Sequence, residues 1–205
     1  PGDLIIVLGG DNYRIGMGGG AVSSVNTGQY DNSIELNAVQ RANPEMQKRV
    51  SNVIRALAEA DNNPIVSIHD HGAGGHLNCL SELVESTGGK FDVRKLPIGD
   101  QTLSDKEIIG NESQERMGLL VNEKDVEHIK RIADRERSPM YVVGETTGDM
   151  KLLFEDNNEK PIDLRLDYMI GKPPRTVIKD KTADIKYKDA KTSETEIHKY
   201  IENVL

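Results

Sequence analysis

The chain has 205 residues and a formal net charge of -8, and its length is enough for one domain with a core of its own. The acidic balance argues against a nucleic-acid partner, because such a surface needs a basic face to meet phosphates. No apolar run approaches the ~20 residues that span a bilayer, so no membrane partner is expected. The single cysteine, Cys79, excludes an internal disulfide, and we expect a reducing, cytoplasmic location.

In the first half of the chain, apolar runs alternate with apolar residues at helical spacing. Residues 4–8 predict a buried strand, and residues 65–68 predict a second one. Between them, Asn43-Pro44 predicts the start of a helix, with asparagine at the cap and proline in the first turn. The inward stripe of this helix is predicted to be Met46, Val50, Val53, Ile54, Leu57 and Ala58. The next helix is predicted to bury Leu77, Leu80, Leu83 and Val84.

The second half repeats this alternation. Residues 118–121 predict a strand, and Asn122 predicts the cap of a helix. The buried side of that helix is expected to be Val126, Ile129, Ile132 and Ala133. Residues 140–143 and 151–154 predict the two strands of a hairpin around residues 147–149. Strands and amphipathic helices in this order predict an α/β (α+β layered) domain.

The composition changes after Pro173-Pro174. Residues 175–192 are rich in lysine and aspartate with little apolar pattern, and they predict a linker between the domain at 1–174 and a following domain. Ser193-Glu194-Thr195-Glu196 is a capping-box signature, so residues 193–205 are predicted to begin that following domain with a helix. The start at Pro1, directly before a strand, leads us to expect an excised piece of a larger protein.

The first segment that carries chemistry follows the second strand and reads His69-Asp70-His71-Gly72-Ala73-Gly74-Gly75-His76. A Gly-rich turn between a strand and a helix is where α/β sheets place ligands, so Gly72, Gly74 and Gly75 are candidate phosphate-binding positions. Asp70 is a candidate Mg²⁺ ligand, because this cation prefers oxygen. The simpler alternative is a tight turn in which Asp70 caps the helix. Zinc bound by the histidines is a weaker alternative, because neither an HExxH pattern nor a cysteine partner is present.

Three other segments are weaker when taken alone. The glycine run gives a second candidate phosphate loop, at Gly18, Gly19 and Gly20, but it lacks the Walker A ending, and a flexible loop is the simpler interpretation. Residues 111–116, Asn-Glu-Ser-Gln-Glu-Arg, offer donors and acceptors to a polar ligand, with a solvated helix turn as the alternative. The amide of Gln40 suits a sugar or an amide group, although nothing local singles it out. Cys79 is expected to be a small buried side chain.

In combination and in this order, these segments resemble the first carboxy-terminal AIRS-like domain of the large formylglycinamide ribonucleotide amidotransferases, the phosphoribosylformylglycinamidine synthases. The likeness covers residues 1–179 and implies a mixed sheet packed with helices. The Glu-Ser-Gln-Glu-Arg segment separates this family from aminoimidazole ribonucleotide synthetase, selenophosphate synthetase and thiamine-phosphate kinase. The triple glycine followed by Ala21-Val22-Ser23-Ser24 is similar to the single-chain form of the enzyme.

The resemblance implies a part in purine biosynthesis, the ATP- and glutamine-dependent conversion of formylglycinamide ribonucleotide to its amidine. It implies that Gln40, Glu112, Ser113 and Gln114 bind the ribonucleotide and that Asp70 binds Mg²⁺. ATP is expected mainly on domains absent here, and the partners are the other synthetase domains and the glutaminase domain of the same polypeptide. No catalytic residue is expected in this chain, which alone should be inactive. His71 departs from the family pattern, where a smaller or apolar residue is expected, which leaves Asp70 in place but alters its surroundings.

Two alternatives remain open. One is another ATP enzyme of the AIRS superfamily with a different substrate, which the Glu-Ser-Gln segment argues against. The other is a structural, nucleotide-binding domain from the pseudo-symmetric second half of the synthetase. That second copy should lack Gln40 and the residues Glu112, Ser113 and Gln114.

Overall fold

The computed structural model describes residues 1–18, 20–41, 43–171, 176–181, 186–189 and 197–202. The chain divides into two compact units, Pro1–Gly171 and Lys172–Leu205. In the second unit a short helix spans Ile197–Glu202. The predicted capping box at 193–196 and the Pro173-Pro174 boundary lie outside the described residues. The domain boundaries therefore stay a prediction.

The described part of the first unit is built on a seven-stranded sheet. Its strands are β1 (Leu4–Gly9), β2 (Ile65–Asp70), β3 (Gly89–Asp92), β4 (Arg116–Val121), β5 (Met140–Thr146), β6 (Lys151–Asp156) and β7 (Glu159–Arg165). The helices are α1 (Gly20–Ser23), α2 (Asn32–Leu36), α3 (Pro44–Ala58), α4 (Gly75–Leu83), α5 (Asp105–Gly110), α6 (Val126–Glu136) and α7 (Leu166–Met169), and the helix of the second unit is α8. None of the described helices is long and apolar enough to cross a membrane.

The sheet has the order β2-β4-β1-β5-β3-β6-β7 and is mixed, because β3 pairs parallel with β6 while the other pairs are antiparallel. Helices α3 and α6 pack on one face, and we call their shared core the apolar layer. Its fully buried members are Ile6, Leu8, Val53, Leu57, Leu119, Val121, Ile129 and Ala133. Helices α4 and α5 cover the opposite face with a second core around Ile5, Val7, Leu80, Phe91, Ile108 and Phe154. The predicted layered α/β fold is confirmed.

Helix α3 shows how the local sequence sets an element. The side chain of Asn43 accepts a hydrogen bond from the backbone N–H of Met46, and Pro44 occupies the first turn, as predicted. Val50, Val53 and Leu57 are buried along its inner face. The predicted stripe extends one residue too far, since Ala58, in the last turn of the helix, is exposed.

Two local predictions fail for nonlocal reasons. The hairpin between residues 140–143 and 151–154 is wrong, because β3 lies between β5 and β6 in the sheet. The backbone N–H groups of Thr147 and Met150 bond instead to the carbonyls of Gly88 and Thr87. These bonds hold the start of β3 between β5 and β6. Asn122 precedes a 3₁₀ turn at Glu123–Asp125 and makes no side-chain cap bond, so its capping role is not realised either.

Candidate functional site

The four segments singled out in the sequence meet at one place, near the ends of β2 and β4. The backbone N–H of Glu112 donates to the carbonyl of Gly16 at 2.8 Å, and that of Gln40 donates to the carbonyl of Glu112 at 2.9 Å. The N–H of Gln114 returns to the carbonyl of Gln40 at 3.1 Å, and the N–H of Ser113 donates to the carbonyl of His71 at 3.0 Å. We call this set of crossing backbone bonds the junction. Segments up to about a hundred residues apart in sequence therefore share one backbone frame.

Two glycines allow the segments to approach this closely. Gly75 has a φ of +57°, and a Cβ there would lie 2.6 Å from the carbonyl carbon of Asn111 and would overlap its oxygen. Gly16 has a φ of +78°, and a Cβ there would overlap the carbonyl of Glu112 and lie 3.2 Å from the backbone nitrogen of Gln40. Both conformations favour glycine. These two glycines are needed for the contact between segments, whatever ligand binds nearby.

The predicted substrate residues are brought together, but they differ in exposure. Gln40 is only 4% exposed, and its amide donates to the carbonyl of Asp11 at 2.8 Å and accepts from the N–H of Tyr13 at 3.1 Å. Glu112 and Ser113 are also buried. Gln114 is exposed. Of the four, the side chain of Gln114 is the one that reaches solvent.

Gln114 lines a cleft of about 340 Å³ on the face of the sheet that α3 covers. The rest of the lining comes from Met117 at the start of β4 and from the α3 residues Gln47, Val50, Ser51, Ile54 and Arg55. Asp70 is paired with Met117 across the β2–β4 ladder. Because directly opposed residues share a face of a sheet, the Asp70 and Met117 side chains lie on the α3 side. The cleft, Gln114 and Asp70 are therefore neighbours on one face.

The carboxylate of Asp70 is exposed, and no described residue bonds to it. The alternative in which Asp70 caps the following helix is wrong, because Gly74, with a φ of +87°, occupies the N-cap of α4. Among the described residues there is no group of three or more histidine, cysteine, aspartate or glutamate side chains that could hold a metal ion. Among the described residues, a cation at Asp70 would therefore have to complete its coordination with water, with backbone or amide oxygens, or with oxygens of a bound ligand.

The candidate phosphate loops take different forms. Around the first loop, the N–H of Gly75 donates to the carbonyl of Gly72, which closes a turn before α4. A Cβ at Gly72 would lie 3.1 Å from a carboxylate oxygen of Asp70. In the second loop Gly18 packs against Val22, and Gly20 begins the four-residue helix α1. Gly19 lies outside the described residues. Phosphate binding at these glycines stays a prediction.

The polar segment at 111–116 is not the solvated helix turn that composition alone favours. Asn111, Ser113 and Arg116 are fully or almost fully buried, with the Arg116 side chain 1% exposed. The guanidinium of Arg116 lies 2.9 Å from Nε2 of His76 and donates to both the backbone and the side-chain oxygen of Asn111. Most of the polar side chains of this segment are therefore buried, and those of Asn111 and Arg116 bond to other buried polar groups.

A second ring continues this buried network. Nδ1 of His76 lies 2.8 Å from Nε2 of His71, and both imidazoles are buried. Asn111 in turn donates from its amide to the carbonyls of Tyr13 and Ile15. We call Asn111, Arg116, His76 and His71 the buried array. Sequence reasoning missed it, because the only signals were a histidine departing from the family pattern and an arginine at the end of a polar run.

Burial dominates the electrostatics of the buried array. It lowers the pKa of His71 and of His76 well below the usual range, and the charge of Arg116 adds to the effect. Both imidazoles are therefore neutral. Burial also lowers the pKa of Arg116 to about 9.

Two other polar residues near the site have local partners. Nδ1 of His69 lies 2.8 Å from a carboxylate oxygen of Glu82 on α4. The thiol of Cys79 is buried and donates to the carbonyl of His69 at 3.4 Å, and burial raises its pKa. Cys79 is the small buried side chain that was predicted, and the thiol form is inert as a nucleophile.

A family model for the carboxy-terminal domain of AIR synthase related proteins matches residues 1–155. The chain is 45% identical over 199 residues to phosphoribosylformylglycinamidine synthase of Saccharomyces cerevisiae, and 45% identical over 179 residues to the protein of the same name in Schizosaccharomyces pombe. These alignments cover 95% and 85% of this chain. The chain spans 15% and 14% of the length of these two relatives.

Solved structures share the fold. A Thermotoga maritima PurL complexed with FGAR superposes with a TM-score of 0.73 at 23% identity, covering 98% of this chain and 34% of that one. Phosphoribosylformylglycinamidine synthase II from the same organism gives 0.69 at 21% identity, covering 91% and 29%. With the family model matching three quarters of the sequence, the chain belongs to the family of AIR synthase related proteins, as their carboxy-terminal domain.

Proposed function

We propose that this chain is a domain of a phosphoribosylformylglycinamidine synthase and that it contributes ribonucleotide and Mg²⁺ binding to that enzyme. The observation that carries the proposal is the 45% identity, over 95% of the chain, to the yeast enzyme of that name. The alternative of a structural second copy predicts the loss of Gln40 and of Glu112-Ser113-Gln114, and all four residues are present. An AIRS-superfamily enzyme for another substrate gives no reason for that identity.

The reaction requires a polar site that holds an amide beside a phosphoryl donor. ATP activates the amide oxygen of formylglycinamide ribonucleotide, and ammonia from glutamine then displaces phosphate. Gln114 has both an amide donor and an amide acceptor at the cleft, which suits a ribonucleotide with hydroxyl and amide groups. Gln40, Glu112 and Ser113 lie behind it and set the backbone on which Gln114 is placed. In this proposal the main role of Gln40 is to position the backbone that carries Gln114, and direct contact with the ribonucleotide is secondary.

Asp70 is suited to a hard cation that keeps much of its water. Mg²⁺ in phosphoryl-transfer sites is held by one or two carboxylates, by waters and by substrate phosphates. The carboxylate of Asp70 is exposed, and it makes no ion pair with the residues that the structure describes. When bound, the ion would neutralise phosphate charge next to the ribonucleotide.

Other parts of the same polypeptide complete the enzyme in this proposal. They supply the main ATP contacts, the catalytic groups and the glutaminase that releases ammonia, and the complete protein works in the cytoplasm. On this account the 205-residue chain alone releases no phosphate from ATP with formylglycinamide ribonucleotide and ammonium.

Two variants of the complete enzyme test the proposal. Gln114→Ala should raise the KM for the ribonucleotide about two- to tenfold, which corresponds to the loss of one or two hydrogen bonds, and should leave the KM for glutamine unchanged. Asp70→Asn should lower activity, and part of the loss should return as Mg²⁺ is raised. Gln101→Ala, at an exposed glutamine near α5, is the matched control. Wild-type constants in both site variants would show that this surface is not the ribonucleotide site.

A further inference from the structure

The buried array has a defined direction of hydrogen bonding. A guanidinium only donates, so the contact of 2.9 Å requires that Nε2 of His76 accept a hydrogen bond from Arg116. A neutral imidazole that accepts at Nε2 carries its proton on Nδ1. Nδ1–H of His76 therefore donates to Nε2 of His71 across 2.8 Å, and His71 must hold its own proton on Nδ1. One arginine thus dictates the tautomer of two rings.

The same guanidinium also holds two loops of the site together, the one at Asn111 and the one at Tyr13 and Ile15. Its second amino group donates to Asn111 at both the backbone and the side-chain oxygen. Asn111 then holds the carbonyls of Tyr13 and Ile15 through its amide. Because the fork of Arg116 is rigid and planar, the position of His76 and the position of Asn111 are set relative to each other.

Both hydrogen-bonded chains that start at Arg116, one through His76 and His71 and the other through Asn111, end next to the residues proposed to bind substrate and cation. His71 directly follows Asp70, and its carbonyl accepts the N–H of Ser113 at 3.0 Å. Gln114 follows Ser113, and Glu112 follows Asn111. Arg116 itself is 1% exposed and cannot touch a ligand in the cleft.

We infer that Arg116 is a positioning residue of the ribonucleotide site, acting through the paired histidines on Asp70 and through Asn111 on Gln114. The inference rests on the proposed function. It assigns His71 a role as a fixed acceptor for His76. The histidine that departs from the family pattern at position 71 is then a working member of the buried array, and it holds the neighbouring Asp70 in position.

The energetic balance supports a geometric role over a stabilising one. Nε of Arg116 is buried, and no described residue bonds to it. Unpaired buried polar atoms are costly, whereas apolar side chains of similar volume often fill such a space at lower cost. The buried array therefore secures orientation at the expense of stability.

The test combines a ligand-free readout with kinetics. In the 205-residue chain labelled with ¹⁵N-histidine, long-range ¹H–¹⁵N correlation spectra should show the Nδ1–H tautomer for both His71 and His76. Arg116→Met should abolish this preference in His76. A wild-type spectrum with Nε2–H on either ring, or an unchanged His76 spectrum in the variant, would overturn the inference.

The kinetic arm uses the complete enzyme and variants checked by thermal melting. Arg116→Met and His71→Leu should raise the KM for the ribonucleotide about tenfold and leave the KM for glutamine unchanged. His71→Gln, whose side-chain oxygen can replace the acceptor Nε2, should recover most of the loss. Ile129→Ala in the apolar layer is the control for a destabilised protein with an intact site.

The kinetic outcomes separate the two claims. If the wild-type enzyme turned over no formylglycinamide ribonucleotide, the proposed function would be wrong, and the inference that rests on it would fall as well. If the wild-type enzyme were active and Arg116→Met, although folded, kept the wild-type ribonucleotide KM, the positioning role alone would be wrong. Equal losses in His71→Gln and His71→Leu would also contradict it, because the acceptor would then be irrelevant.

Discussion

The apolar layer beneath α3 and α6 and the junction at the ends of β2 and β4 are both buried, yet they are held together in different ways. In the apolar layer, side chains such as Leu57 and Ile129 contact one another without a preferred direction. At the junction, Gln40 is joined to Glu112 and to Gln114 by one backbone hydrogen bond each, and these bonds tolerate little displacement. The buried array beside the junction adds a charged group, Arg116, that is fully removed from water.

The difference indicates what each region contributes. Apolar burial stabilises the fold and accepts changes of side chain when volume is preserved. A directional polar cluster costs more to bury and specifies one arrangement of its members. We therefore assign stability mainly to the apolar layer and the geometry of the site to the junction with its buried array.

The largest expected effect comes from closing the space at Gly75. Gly75→Ala should lower the free energy of unfolding by about 4 kcal/mol, because the new Cβ overlaps the backbone of Asn111 and the φ of +57° disfavours a side chain. Chemical denaturation of the 205-residue chain measures this change. Gly110→Ala is the matched control, since a Cβ there has no neighbour within 4 Å. Equal stability of the two variants would mean that the segments do not approach this closely.

An intermediate effect is expected in the apolar layer. Ile129→Ala should cost about 3 kcal/mol of unfolding free energy, because the side chain is fully buried and leaves a cavity. In the complete enzyme the same variant should keep the ribonucleotide KM, which denaturation and steady-state kinetics measure together. A raised ribonucleotide KM in Ile129→Ala would show that the apolar layer also sets the geometry of the site, which contradicts this assignment of separate roles.

The smallest effect concerns a helix cap at the edge of both regions. Asn43→Ala should cost about 1 kcal/mol, because the Asn43 side chain accepts a hydrogen bond from the N–H of Met46 at the start of α3. Asn122→Ala should cost much less, because Asn122 makes no such bond. Thermal melts of both variants test this difference, and equal losses would contradict it.

The sequence predicted the apolar layer well because helical spacing is a local signal. The buried positions of α3 and the strand at 4–8 follow from residues next to one another. The position of β3 between β5 and β6 could not be predicted in this way, because it depends on bonds from Thr147 and Met150 to a distant loop. Nor could the spacing of Gln40 and Glu112 show that their backbones are hydrogen-bonded.

The sequence predicted which residues come together at the site better than it predicted whether their side chains are buried or exposed. The order of motifs led to Gln40, Asp70 and the Glu-Ser-Gln segment, and the structure places these near one another. The burial of Gln40, Glu112 and Ser113 was not foreseen, because polar residues are normally exposed. Their partners lie in other segments, and a single sequence contains no record of those contacts.

We propose that these segments form one ribonucleotide site, and hydrogen exchange in the complete enzyme tests this most directly. Adding formylglycinamide ribonucleotide should slow exchange together in peptides that cover residues 13–16, 39–41, 70–75 and 111–115, because closing one site suppresses opening of the whole junction. Peptides from residues 126–136 in α6 should be unchanged. Saturating ribonucleotide with no protection in these four segments, or with protection confined to one of them, would contradict the account.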